Sequence, residues 1–182
     1  MAKFYTQTGD DGYTGLLGEG RTQKFDPRIQ TIGAIDEANA AIGFARSISL
    51  APETISTLIT AQIDLYHIMA EIAALPENAS RFRKVTSERV DWLENQINLI
   101  SQQITIPNEF IVPGDSKSGA AVDLARTIIR RAERCLSELL FQKLIENQEL
   151  LRYMNRLSSL CFALELLENQ ASGCIKPTFA KE

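Results

Sequence analysis

Apolar side chains recur every three to four residues in long runs after Pro27, and short polar or proline-bearing breaks separate the runs. That spacing predicts five helices, over Ile29–Ser47, Pro52–Ala74, Ser87–Gln103, Ser118–Leu144 and Gln148–Asn169. Pro76 and Asn78 are expected to end the second. The connector "TIPNEFIVPGDSKSG" carries Pro107 and Pro113 and reads as loop or short extended chain. Strand signals are weak and short, so the expected fold is all-α, a five-helix up-down bundle. The first 27 residues lack the rhythm and hold five of the ten glycines. They predict a turn-rich arm (1–27) ahead of the bundle (28–170) and an irregular tail (171–182), all within a single domain.

Composition narrows the partners. The 182 residues carry a net charge of −4, which gives no footprint for nucleic acid. Cys135, Cys161 and Cys174 are odd in number and scattered, and His67 is the only histidine. Reduced structural thiols are expected, and a zinc-type site is not. There is no basic-then-apolar leader and no run long enough to span a bilayer, so a cytoplasmic location is expected.

The run "LARTIIRRAERC" (124–135) sets three arginines four residues apart. Arg126, Arg130 and Arg134 fall within about 80° on one helical face, with Glu133 beside them. Like charges at that spacing cost roughly 0.2–0.5 kcal/mol per pair. A multiply charged anion would reverse the sign, because guanidinium forks match phosphate oxygens. The plainer alternative is a solvated face with Asp123–Arg126 and Arg130–Glu133 pairs. The arm "TQTGDDGYTGLLGEG" (6–20) has the glycines and hydroxyls of an anion cradle but not Walker spacing. A mobile tail is the alternative. Asp10 and Asp11 argue against simple anion binding unless one holds a cation or pairs with an arginine elsewhere.

Asp36 lies in a helix rich in small residues, three positions from Asn39. If buried it needs a partner, and a surplus arginine of the fourth helix is the candidate. Asn155 could touch a ligand or satisfy a neighbour. His67, among apolar residues, reads as a satisfied core histidine, and Trp92 reads as structural.

Four segments together carry a family resemblance. They are "YTQTGDDGYTGLLGEGRTQKFD" (5–26), "GAIDEANAAIGFAR" (33–46), "FIVPGDSKSGAAVDLARTIIRRAER" (110–134) and "MNRLSSLCFALE" (154–165). In this order they resemble the PduO-type ATP:cob(I)alamin adenosyltransferases. The resemblance implies a homotrimer with sites between subunits and transfer of the 5′-deoxyadenosyl group of ATP, with Mg²⁺, to reduced cobalamin. It implies that Thr6, Gln7, Thr8, Gly9, Thr14 and Lys24 bind ATP from the arm, and that Arg130, Arg131, Glu133, Arg134 and Asn155 complete that site. It further implies an Asp36–Arg126 salt bridge across the interface and a place for Phe110 under the corrin. A cobalamin reductase and an adenosylcobalamin-dependent enzyme are implied partners. The chain departs from the usual pattern at Asp11, Phe25, Asp115 and Ser159. Those departures motivate one rival, a non-catalytic ATP or cobalamin carrier. A purely structural helical oligomer is the other.

Overall fold

A computed structural model describes residues 5, 7–18, 20–174 and 176–181. The described residues form six helices and one small hairpin. The hairpin pairs β1 (Tyr13–Gly15) antiparallel with β2 (Arg21–Gln23). The helices are α1 (Pro27–Ile48), α2 (Pro52–Ala73), α3 (Pro76–Phe82), α4 (Ser87–Ser101), α5 (Lys117–Phe141) and α6 (Gln148–Ala171). The five long helices lie within a few residues of their expected bounds. The sixth, α3, corrects the expected count. Pro76 does end α2, by holding Leu75 extended, but its fixed φ and missing N–H then suit the first position of a new helix. Pro27 and Pro52 stand at the same position in α1 and α2.

Short connections make α1–α2 and α5–α6 neighbours, and α5 packs chiefly against α6 and α1, with α4 on the far side of α6. Ile35, Ile42, Leu58, Leu65, Ile129, Leu136, Leu157 and Leu164 are fully buried between them. α5 buries apolar residues along two adjacent rows, Val122, Ile129 and Leu136 in one and Ala132 and Leu139 in the other.

Polar groups stitch the frame together. Asp64 of α2 takes Arg89 of α4 at 3.1 Å and the buried Tyr153 hydroxyl of α6 at 2.6 Å. Burial holds the Tyr153 hydroxyl well above its usual pKa, so it stays a donor. Arg89 also covers the Trp92 ring at 4.6 Å. The buried Glu168 accepts the backbone N–H groups of Leu50 and Ala51, satisfying donors at the start of α2. Arg28 reaches the carbonyls of Ala74 and Leu144, tying the start of α1 to the ends of α2 and α5. His67 is half-buried against the edge of Tyr66 and has no hydrogen bond among the described residues, so the expected satisfied core histidine is not observed.

Ser116 caps α5 by accepting the Gly119 N–H at 2.9 Å, and its hydroxyl donates to Asn169 at 2.6 Å. A Cβ at Gly119 would stand 2.2 Å from Asn169 Oδ1. Gly119→Ala is therefore expected to destabilise by about 1–3 kcal/mol, read as a lowered midpoint in urea with an unchanged m-value.

Candidate active site

Hydrogen bonds within the arm fix its turns. Arg21 grips Asp11 with two hydrogen bonds of 2.8 and 2.9 Å and donates to the Thr8 carbonyl. The Arg21 hydrogen bond, then the Tyr13 N–H, hold the Asp11 carboxyl below its usual range. Asp11 thus pairs with an arginine, one of the two roles left open for the acidic pair. Gln7 adopts φ +61° and Gly12 φ +83°, which turn the chain back toward β1. A Cβ at Gly9 would lie 3.0 Å from the Lys24 ammonium, so that ammonium sits over the turn. Asp26 caps α1 through the Arg28 N–H and accepts from Thr22, fixing the hairpin to the bundle. Leu17 bridges to Ala74 at the end of α2. Gln7, Thr8, Gly9, Thr14 and Lys24 therefore share one ordered arm, while Thr6 lies outside the described residues.

On α5, Arg126 is half-buried while Arg130 and Arg134 are exposed. Of the plainer pairings, Asp123–Arg126 forms at 2.6 Å. Arg130–Glu133 does not, and Glu133 instead accepts from Asn155 at 2.9 Å. Asn155 is held in turn by Arg156, which pairs with Glu94 of α4. Arg131 pairs with Glu37 of α1, and Arg134 donates to the Arg130 carbonyl at 3.0 Å. Among the described residues the Arg130 guanidinium has no partner. Asp36 is exposed and, within the chain, is not bonded to Arg126. No hydrogen bond or ion pair among the described residues joins the arm to the arginine face.

Two clefts flank Arg126 and Phe162. One, of about 390 Å³, includes Pro107, Phe110, Asp123 and Glu165 in its lining. The other, of about 370 Å³, includes Arg130, Ser158 and Ser159. Phe110 is 89% exposed at the mouth of the first. The tail holds it there, since Ala180 donates to the Phe110 carbonyl and Val112 to the Thr178 carbonyl, each at 2.8 Å. Asp115 anchors the tail by accepting the Thr178 N–H and hydroxyl. At the base of this cleft, burial and then the charge of Asp123 push the Glu165 carboxyl up to about 8. Arg21, Phe162 and Glu165 are not among the residues the sequence singles out, and the tail reads there only as irregular. Only Glu165 left a signal, as a carboxylate in the apolar run "CFALELL".

The sequence model of the family described as cobalamin adenosyltransferase matches residues 4–168. The chain belongs to that family. Its activity is therefore transfer of an adenosyl group to a corrinoid. A corrinoid adenosyltransferase of Bacillus subtilis is 39% identical over 94% of this chain and 89% of its own length. The corrinoid adenosyltransferase PduO of Citrobacter freundii is 36% identical over 91% of the chain, which spans 49% of that relative. Among solved structures, a PduO-type ATP:corrinoid adenosyltransferase variant from Lactobacillus reuteri, complexed with cobalamin and ATP, superposes with a TM-score of 0.88 at 30% identity. The match covers 99% of this chain and 97% of that one. An arginine-to-lysine variant complexed with ATP superposes at 0.86 with 28% identity, over 98% of this chain and 100% of its own.

Proposed function

We propose that the chain, acting as one catalytic domain, transfers the 5′-deoxyadenosyl group of ATP to cob(I)alamin in sites shared between subunits of a homotrimer. The observation that carries this reading is the unpartnered Arg130 guanidinium, set in a face whose other groups are already held by Glu37, Asp123 and Asn155. In the balanced step, Co(I) attacks C5′, a cobalt–carbon bond forms, the C5′–oxygen bond breaks and triphosphate leaves. The nucleophile belongs to the substrate, so the protein supplies position and charge. Arg130, Arg134 and Lys24 neutralise the charge that builds on triphosphate. Gln7, Thr8, Gly9 and Thr14, with Thr6 preceding them, cradle the nucleotide from the arm, and Glu133, Asn155 and Arg131 shape the opposite wall. Asp36 of one copy meets Arg126 of the next. Phe110 offers the corrin a flat apolar surface and helps displace its lower ligand.

Mg²⁺ fits as part of the nucleotide. Among the described residues no group of three metal-ligating side chains occurs, whereas triphosphate oxygens suit a hard cation. Among the described residues Glu133 keeps one carboxylate oxygen unbonded. Shared sites are supported by the lack, among the described residues, of any hydrogen bond or ion pair between the arm and the arginine face of one chain. They are supported too by the exposed outer face of α1, where the small Gly33 and Ala40 allow close approach and Asp36 and Phe44 are free to meet a second copy. Asp11 and Asp115 have structural partners, so neither departure argues for a carrier. A reductase that supplies Co(I) and an enzyme that consumes the product complete the proposed setting. The reading also places the chain in the cytoplasm with its thiols reduced, and burial pushes the Cys161 thiol up to about 12, where it is inert.

Mixing inactive subunits tests the shared site. Lys24→Ala and Arg130→Ala proteins, each nearly inactive, should regain about a quarter of wild-type sites when unfolded and refolded together, because random mixing restores some intact interfaces. No recovery from a mixture that does form trimers would place both residues in one subunit's site.

A further inference from the structure

Glu165 is 1% exposed, lies against the Phe110 cleft and, as a carboxylate, has neither oxygen hydrogen-bonded. An ionised carboxylate left so is costly. Asp123, one helix away, is also buried and faces it. Two facing carboxyls bond only if one keeps a proton. Asp123 already accepts Arg126 Nε, so the proton belongs on Glu165. Only the Nε of Arg126 is bonded, and its two terminal nitrogens remain without a partner among the described residues.

We propose that Glu165 is a positioning residue, the protonated partner of Asp123, and that this proton keeps the outer fork of Arg126 available to the cleft and to a neighbouring subunit. Ionised, Glu165 would be a second anion beside one guanidinium and would draw the terminal nitrogens inward. The other charged groups around it favour the proton. Asp115 adds negative charge from the connector, and Glu109 lines the same cleft. Cys161, one turn earlier on α6, is buried and neutral. From α4, Glu94 is occupied by Arg156, more than two turns away along α6. Arg126 alone pulls the other way, and Asp123 already offsets it.

The role in the reaction rests on the proposed function, but the proton does not. Infrared spectra of the unliganded protein test the proton first. A protonated-carboxyl stretch should be present at pH 7, absent in Glu165→Gln, and lost from the wild type with a midpoint near pH 8. Its absence at pH 7 overturns the proposal whether or not the protein turns over. The neutral isostere tests the role. The wild-type KM for cob(I)alamin should rise at least about tenfold between pH 7 and pH 9.5 while the KM for ATP changes little. Glu165→Gln should keep the neutral value and lose the alkaline rise. The same alkaline rise in the variant removes the positioning role. Thermal melts give a reading free of activity. The folded chain holds the proton to higher pH than the unfolded chain, so the stability contributed by Glu165 is full below pH 4.5, declines to about pH 8 and then levels. Glu165→Gln should melt higher than wild type at pH 9, with the gap closing toward pH 4, and equal melts at both would contradict the buried proton.

Discussion

Replacing Arg130 by alanine is expected to cut kcat/KM for ATP by about 10²–10³-fold while the melting temperature moves by less than a degree or two. Arg130 is exposed and bonds to no other side chain among the described residues, so its loss leaves no buried group unsatisfied. The folded monomer therefore loses little. Triphosphate departure loses a charged donor that acts mainly as negative charge develops, and one such donor is worth roughly 3–4 kcal/mol in a shielded site. Arg130→Lys should recover part of the loss, since an ammonium keeps the charge but not the fork. Steady-state ATP titrations beside thermal melts separate the two effects. Unchanged ATP kinetics would dismiss the clamp.

The largest stability effect is expected at Asp64. Asp64→Ala removes the carboxylate that Arg89 and Tyr153 share, stranding a guanidinium and a buried hydroxyl at once. Breaking a buried pair from one side costs about 3–5 kcal/mol, which for a chain of this length lowers the melting temperature by roughly 6–20 °C. Tyr153→Phe should cost only about 1 kcal/mol, because it takes away one hydrogen bond and leaves the ion pair. Calorimetry on both variants resolves the ranking, and equal losses would mean that the hydroxyl, not the ion pair, holds α2, α4 and α6 together.

Helix spacing was legible because each long helix buries a stripe that repeats every three to four residues, so Ile35, Ile42 and Ile129 announce their faces locally. The arginine face was legible for a similar reason, since four-residue spacing places like charges side by side. Partners were not legible. Asp64 meets Arg89 and Tyr153 from two other helices, and nothing near it in the sequence marks either. Glu133 chose Asn155 over the nearer Arg130 because α6 brings an amide into better reach. Asp11 reads in the sequence as an obstacle to anion binding, but Arg21, ten residues on, folds over it and neutralises it. The tail read as irregular because its two-residue pairing with the connector has no periodicity to detect. α3 was hidden by Pro76, which signals an end as strongly as a beginning. The residues offer Asp36 a surplus arginine of the fourth helix, but only the family resemblance makes that arginine Arg126 of a second copy, and within one chain Asp36 is exposed.

The proposed reaction is adenosyl transfer to Co(I) with triphosphate as the leaving group. An anaerobic assay with MgATP and chemically reduced cobalamin tests it most directly, following the cobalamin absorbance and triphosphate release together. Adenosylcobalamin and triphosphate are expected in equal amounts, with a kcat/KM for ATP that Arg130→Ala lowers by about 10²–10³-fold. No adenosylcobalamin from protein that still binds both ATP and cobalamin would contradict it.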